Sequence, residues 1–139
     1  VAFRKSAKIE LLRRTPLFSE CSKRELGEIA AIADEVDIPT GRAFIREGHQ
    51  GREFFALIEG TVEVHRNGRK VKVKGGSDFF GEISLISATP RTATVTATSP
   101  VRALVITGPA FGALMRRVPQ LQLKVLRSLA ERLAPDESV

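Results

Sequence analysis

The sequence has 139 residues, one domain's worth, and its 42% hydrophobic and 27% charged residues exclude a disordered or fibrous chain. No apolar run approaches the ~20 residues of a membrane span, and the opening residues 1–6 carry no signal-peptide pattern. A net charge of +6 suits an anionic ligand or partner, leaving nucleic acid, acidic protein, anionic lipid and nucleotide all open.

The missing initiator methionine suggests a trimmed chain or an excised domain. The lone cysteine, Cys21, has no internal disulfide partner, which predicts a reducing, cytoplasmic setting and an inert thiol. Residues 6–14 place Ile9, Leu11 and Leu12 among charged neighbours, an amphipathic helix stopped by Pro16. Ser22 followed by Glu25 reads as a capping box, with Leu26, Ile29 and Ala30 forming the apolar stripe of the next helix. Residues 1–34 are thus predicted as N-terminal helices.

From Val36 the period changes to short apolar runs bounded by turn residues roughly every 8–12 positions, which predicts an antiparallel sandwich or barrel over 35–107. The clearest hairpin sets residues 61–65 against 69–74 across Asn67-Gly68, a pair that tolerates the positive φ of a type I′ turn. The lysines Lys70, Lys72 and Lys74, with Arg66 and Arg69, read as a solvated edge that could also steer an anion. Two strands meet at Ser99-Pro100. The helical period returns after Gly108-Pro109, and a last helix begins near Pro119 and ends at Pro135, so 108–135 are predicted as C-terminal helices. There is no internal repeat, and residues 1–139 read as one domain.

Residues 79–95 break the strand rhythm. They leave room for one or two helical turns and a loop closed by Pro90, and a helix so short is better suited to aiming unpaired N–H groups than to adding stability. Gly81 lets a phosphate approach the backbone, and Arg91 can fork onto two phosphate oxygens, with Thr92 adding an N–H and a hydroxyl. Glu82 would repel a bare phosphate but can accept from a ribose 2′-hydroxyl. Together these residue types describe a ribose cyclic phosphate.

The run Phe80-Gly81-Glu82-Ile83-Ser84-Leu85-Ile86, then Pro90-Arg91-Thr92-Ala93-Thr94-Val95, resembles the phosphate-binding cassette of the cyclic nucleotide-binding domain family. Gly48, Gly51, Phe55, Ile58, Gly60, Val62 and Val64 are similar to its glycine-punctuated strands, and Pro16-Leu17-Phe18 to its helical entry. The resemblance implies a mainly β fold with flanking α: an eight-stranded antiparallel jelly roll with N-terminal helices, a short cassette helix and C-terminal helices. It implies a regulatory sensor of cAMP or cGMP that relays binding through its last helix, and not an enzyme. Ligand-binding residues would be Gly81, Glu82, Ile83, Ser84, Arg91 and Thr92. The N–H groups of Gly81, Ser84 and Thr92 would face the phosphate, Glu82 the ribose and Arg91 the exocyclic oxygens.

Many relatives have alanine where Ser84 stands, and in the family a hydroxyl at the Thr92 position assists cGMP without forbidding cAMP. Arg127, Ser128 and Arg132 on the last helix are candidate base or lid contacts. Its stripe Leu121, Val125, Leu129, Leu133 fits a homodimer seam or packing on the barrel. No cofactor beyond the nucleotide is expected, and the isolated His49 and His65 offer no metal site for hydrolysis. A ligand-free scaffold and the sensing fragment of a larger transcription regulator are the alternatives. DNA binding would need a helix-turn-helix beyond Pro135.

Overall fold

The computed structural model describes residues 4–75 and 78–133; the side chains of Arg132 and Leu133 and everything from residue 134, including Pro135, lie outside the described residues. Helix α1 (Lys5–Arg13) leads through a 3-10 turn at Pro16–Phe18 into α2 (Lys23–Ala31). The capping box at α2 forms: Ser22 Oγ accepts from Glu25 N–H at 3.2 Å, and the Ser22 N–H donates to Glu25 Oε1 at 2.8 Å. Eight strands follow among the described residues: β1 (Asp34–Ile38), β2 (Ala43–Ile45), β3 (Glu53–Glu59), β4 (Val62–Arg66), β5 (Arg69–Lys74), β6 (Phe79–Phe80), β7 (Thr94–Ala97) and β8 (Val101–Thr107). They form two antiparallel sheets, ordered β1-β8-β3-β6 and β2-β7-β4-β5, the jelly roll expected from the sequence.

The period-2 alternation of β3 explains where the core lies. Phe54 and Ala56 face the helices and join Leu12, Phe18, Leu26 and Ile29, while Phe55 and Leu57 face into the roll with Val62, Phe80 and Val95. The first sheet therefore carries a buried apolar cluster on each face.

The β4–β5 hairpin turns at Asn67 (φ +54°) and Gly68 (φ +76°), as the Asn-Gly pair predicts. β5 is the edge strand of its sheet and is exposed from Arg69 to Val73, the solvated edge predicted from the sequence. Lys72 and Lys74 stand opposite the roll-facing Val64 and Val62, so these lysines share the inner face. The register shifts between Val64 and His65, which pairs with Lys70, leaving Val71 as the extra residue of a bulge. Val73 then points outward and is 60% exposed.

Helix α3 (Gly108–Arg117) starts under a Thr107 cap whose hydroxyl accepts from Ala110 N–H at 3.3 Å, and α4 (Pro119–Leu133) follows. Leu121 and Val125 are buried and Leu129 packs beside them, so the described part of the α4 stripe covers this chain's own helical core. Polar contacts fix its azimuth: Lys124 Nζ to Glu25 Oε1 at 2.6 Å, Arg127 Nη1 to Glu20 Oε1 at 3.1 Å, and Ser128 Oγ with Ser19 Oγ at 3.4 Å. Among the described residues no helix is long and apolar enough to cross a membrane.

Candidate functional site

The segment after β6 opens at Gly81, which is left-handed (φ +79°), and continues as a single 3-10 turn, Glu82–Leu85. One or two helical turns were expected; one forms, because a four-residue segment cannot repay helix nucleation and settles for i to i+3 bonds. Those bonds run from Ser84 N–H to Gly81 O (3.0 Å) and from Ile86 N–H to Ile83 O (3.1 Å). The Ser84 amide, expected to face a phosphate, is therefore engaged inside the turn. Its hydroxyl has a different task.

That hydroxyl accepts from Arg91 Nη1 at 2.7 Å, while Nη2 donates to Glu53 O at 2.7 Å and lies 3.4 Å from Glu53 Oε1. The Arg91 side chain is only 6% exposed. Burial pushes its pKa below the ordinary value, and Glu53 opposes that shift only in part; a guanidinium nonetheless keeps its charge at neutral pH. The loop around it is pinned by main-chain bonds from Arg91 N–H to His49 O (3.0 Å) and from Gly48 N–H to Arg91 O (2.8 Å). Two glycines make the space: a Cβ at Gly81 would stand 2.5 Å from Arg91 Nη1, and one at Gly51 would stand 2.7 Å from Nε. The named contacts leave part of the five-donor fork available to a ligand.

Gly81, Glu82, Ile83, Ser84, Arg91 and Thr92 all line one hollow of about 310 Å³, near the lower end of small-ligand pockets, roughly 300–1,000 Å³. Ile45, Phe80, Ala93 and Val95 give it an apolar wall continuous with the roll core. Glu82 is buried at this lining, Ile83 is half-exposed at its rim and Thr92 is exposed. One acid, one guanidinium and an apolar wall in a shared space suit an anionic polyol carrying a flat apolar group. Arg127 and Ser128 are not brought to it; both are engaged with the N-terminal helices, and the Arg132 side chain is outside the described residues.

Two contributors, Glu53 and Arg52, escaped the sequence reading, and Arg66, read there only as part of the basic edge, has a specific partner. Glu53 holds Arg91 from 38 residues away. Arg52 donates Nε to Ser84 O (3.4 Å) and Nη2 to Leu85 O (3.2 Å), and its backbone O accepts from Gly108 N–H at 2.6 Å, tying the end of the turn to the start of α3. Arg66 Nε donates to Thr92 O at 3.0 Å, anchoring the hairpin tip beside the hollow. The Gly51-Arg52-Glu53 run ahead of an apolar strand was the available signal, but only the tertiary pairing of β3 with β6 gives it meaning. Among the described residues no group of three or more His, Cys, Asp or Glu side chains could hold a metal ion.

Comparison with known proteins fits this geometry. The family model described as cyclic nucleotide-binding domain matches residues 35–118. A CRP-like cAMP-activated global transcriptional regulator of Mycobacterium tuberculosis is 30% identical over 129 residues, covering 89% of this chain and 58% of that protein. A cyclic nucleotide-gated potassium channel of Rhizobium etli is 32% identical over 123 residues, 88% of this chain and 34% of the channel. Among solved structures, the N-terminal domain of a transcriptional regulator from Streptomyces coelicolor A3(2) superposes with a TM-score of 0.81 at 34% identity, covering 88% of this chain and 90% of that one. The chain thus spans little more than half of the first curated relative and a third of the second.

Proposed function

Because the chain belongs to the cyclic nucleotide-binding domain family, we propose that the hollow binds 3′,5′-cyclic AMP or cyclic GMP and that the protein is a cytoplasmic regulatory sensor without catalysis. One observation carries the reading: Gly81, Glu82 and Arg91 line a single hollow against an apolar wall. In it Arg91 pairs with the exocyclic phosphate oxygens, Glu82 accepts from the ribose 2′-hydroxyl, and the amides near Gly81 and Thr92 complete the phosphate shell. The nucleotide is the ligand, and the reading needs no cofactor or metal.

Arg52 and Leu85 link the turn that lines the hollow to α3 and the helical core. That linkage supports a relay through the C-terminal helices, since a ligand shifts an equilibrium only by its differential affinity for two states. The partial coverage of the mycobacterial regulator supports the further reading that the chain senses ligand for a larger regulator, with any DNA contact made by other segments.

Titration calorimetry with cAMP, cGMP and linear AMP tests the site. Both cyclic forms are expected to bind more tightly than AMP, and Arg91→Ala to weaken binding by about 2–5 kcal/mol. Equal affinity for linear AMP, or unchanged binding by Arg91→Ala, would overturn it; a linear monophosphate in the recovered ligand would show an enzyme instead.

A further inference from the structure

The 3-10 turn stands between two spaces. Gly81, Glu82, Ile83 and Ser84 line the hollow, whereas Leu85 and Ile86 line a separate groove bounded by α3 and α4. The floor of this groove is apolar: Leu85, Phe111, Met115 and Val125 are buried members of the helical core. Ile86 and the half-exposed Leu126 carry the apolar lining out to the rim. Gly112, in the middle of α3, adds no side chain, and about 300 Å³ stays open. At the roughly 30 Å³ that a water-sized group takes up in a liquid, this is room for about ten non-hydrogen atoms.

The charge of the lining has one sign. Among the described residues Arg52 and Arg116 line the groove and no carboxylate does. Arg52 already commits Nε to Ser84 O and Nη2 to Leu85 O, so it holds the turn in place. Arg116 is exposed, with Nη1 3.5 Å from the point where a Gly112 Cβ would stand, and it is the cation available to an occupant. A dry floor that ends at an exposed guanidinium is polar at one end only. That order of polarity matches a molecule with an apolar chain and a single anionic head.

We propose that this groove is a second binding site, distinct from the hollow, for a single-chain carboxylate of about eight carbons, an alkanoate such as octanoate. Its chain lies on Leu85, Phe111 and Val125, and its carboxylate, ionised at neutral pH, meets Arg116 at the rim. The groove has no room for the second chain of a bilayer lipid, so the occupant is a free acid.

Calorimetry with hexanoate, octanoate and 1-octanol, each kept dilute enough to stay monomeric, tests the site. One saturable octanoate site is expected, about tenfold or more tighter than for hexanoate, since each buried methylene is worth about fourfold. Octanoate should also bind more tightly than 1-octanol. Arg116→Gln should weaken octanoate about threefold to fivefold and leave 1-octanol unchanged. Gly112→Leu fills the groove from a helix interior that favours leucine over glycine, and its Cβ meets only ordinary van der Waals contact. With circular dichroism showing it folded, it is expected to lose octanoate binding. Absence of saturable binding, equal affinity for 1-octanol, or undiminished octanoate binding by folded Gly112→Leu would each refute the assignment. A dimer of wild type that Gly112→Leu dissociates in sedimentation would give the groove to a second copy instead. None of these readouts uses a cyclic nucleotide, so their failure leaves the reading of the hollow standing.

Discussion

At Gly81 a methyl group would meet the Arg91 guanidinium at 2.5 Å and Glu53 O at 2.7 Å, on a backbone already at φ +79°. A left-handed non-glycine residue costs about 1–2 kcal/mol by itself, and here the clash adds the displacement of a buried cation. Gly81→Ala is therefore expected to destabilise the fold by more than about 2 kcal/mol in urea titration and to abolish nucleotide binding. Gly41 (φ +90°) has open space where its Cβ would go, so Gly41→Ala should carry only the conformational cost and keep its affinity. Equal behaviour of the two variants would refute the packing role. The residue types Gly81, Glu82 and Arg91 were readable in the sequence because each answers to one part of a phosphosugar. That the glycine first makes room for the arginine was not, since Glu53 and Gly51 reach Arg91 through tertiary structure alone.

Among the elements, α2 and α4 are joined by one carboxylate. Glu25 closes the capping box and receives Lys124 Nζ at 2.6 Å. Burial pushes the Glu25 carboxyl up, but the Lys124 ammonium and the Ser22 bonds outweigh it, and the net pKa lies below the ordinary 4.5. A carboxyl lowered on folding stabilises the protein at pH values above 4.5, and this contribution is lost as pH falls through the folded value. The urea midpoint should thus drop on acidification below pH 4.5, and Glu25→Gln should flatten that drop while costing about 1–2 kcal/mol at pH 7. A wild-type midpoint indifferent to acid would contradict this account. The cap was legible from Ser22 and Glu25, three residues apart. Its partner was not, because Lys124 is 99 positions from Glu25 and helical patterning says only that a face is polar. The same limit hid the phase of β5: alternation predicts a strand, but a bulge beside Val71 decides which face the lysines take.

For the molecule as a whole, turn spacing led to an antiparallel sandwich or barrel and the family resemblance of the cassette to the jelly roll, whereas the docking of α4 on the N-terminal helices rests on long-range pairs that leave no local trace. The β1-β8-β3-β6 sheet is a wall shared by two apolar clusters, with Phe54 and Phe55 facing opposite ways from adjacent positions. Neither compartment can empty without taking that wall down, so denaturation should be a single transition. The chain has no tryptophan or tyrosine to report it, but Cys21 sits in the helical compartment with its thiol pushed up to about 11 by burial and by Glu25 and Glu20, against the opposing Lys124. Maleimide capture of Cys21 and loss of circular dichroism are expected to share one urea midpoint; two separate midpoints would show independent halves. Nucleotide held in the roll at about a hundred times its Kd should then protect the whole, thiol included, by about 2.7 kcal/mol. A sulfur on the far side of the wall becomes a remote gauge of affinity for a ligand it never touches.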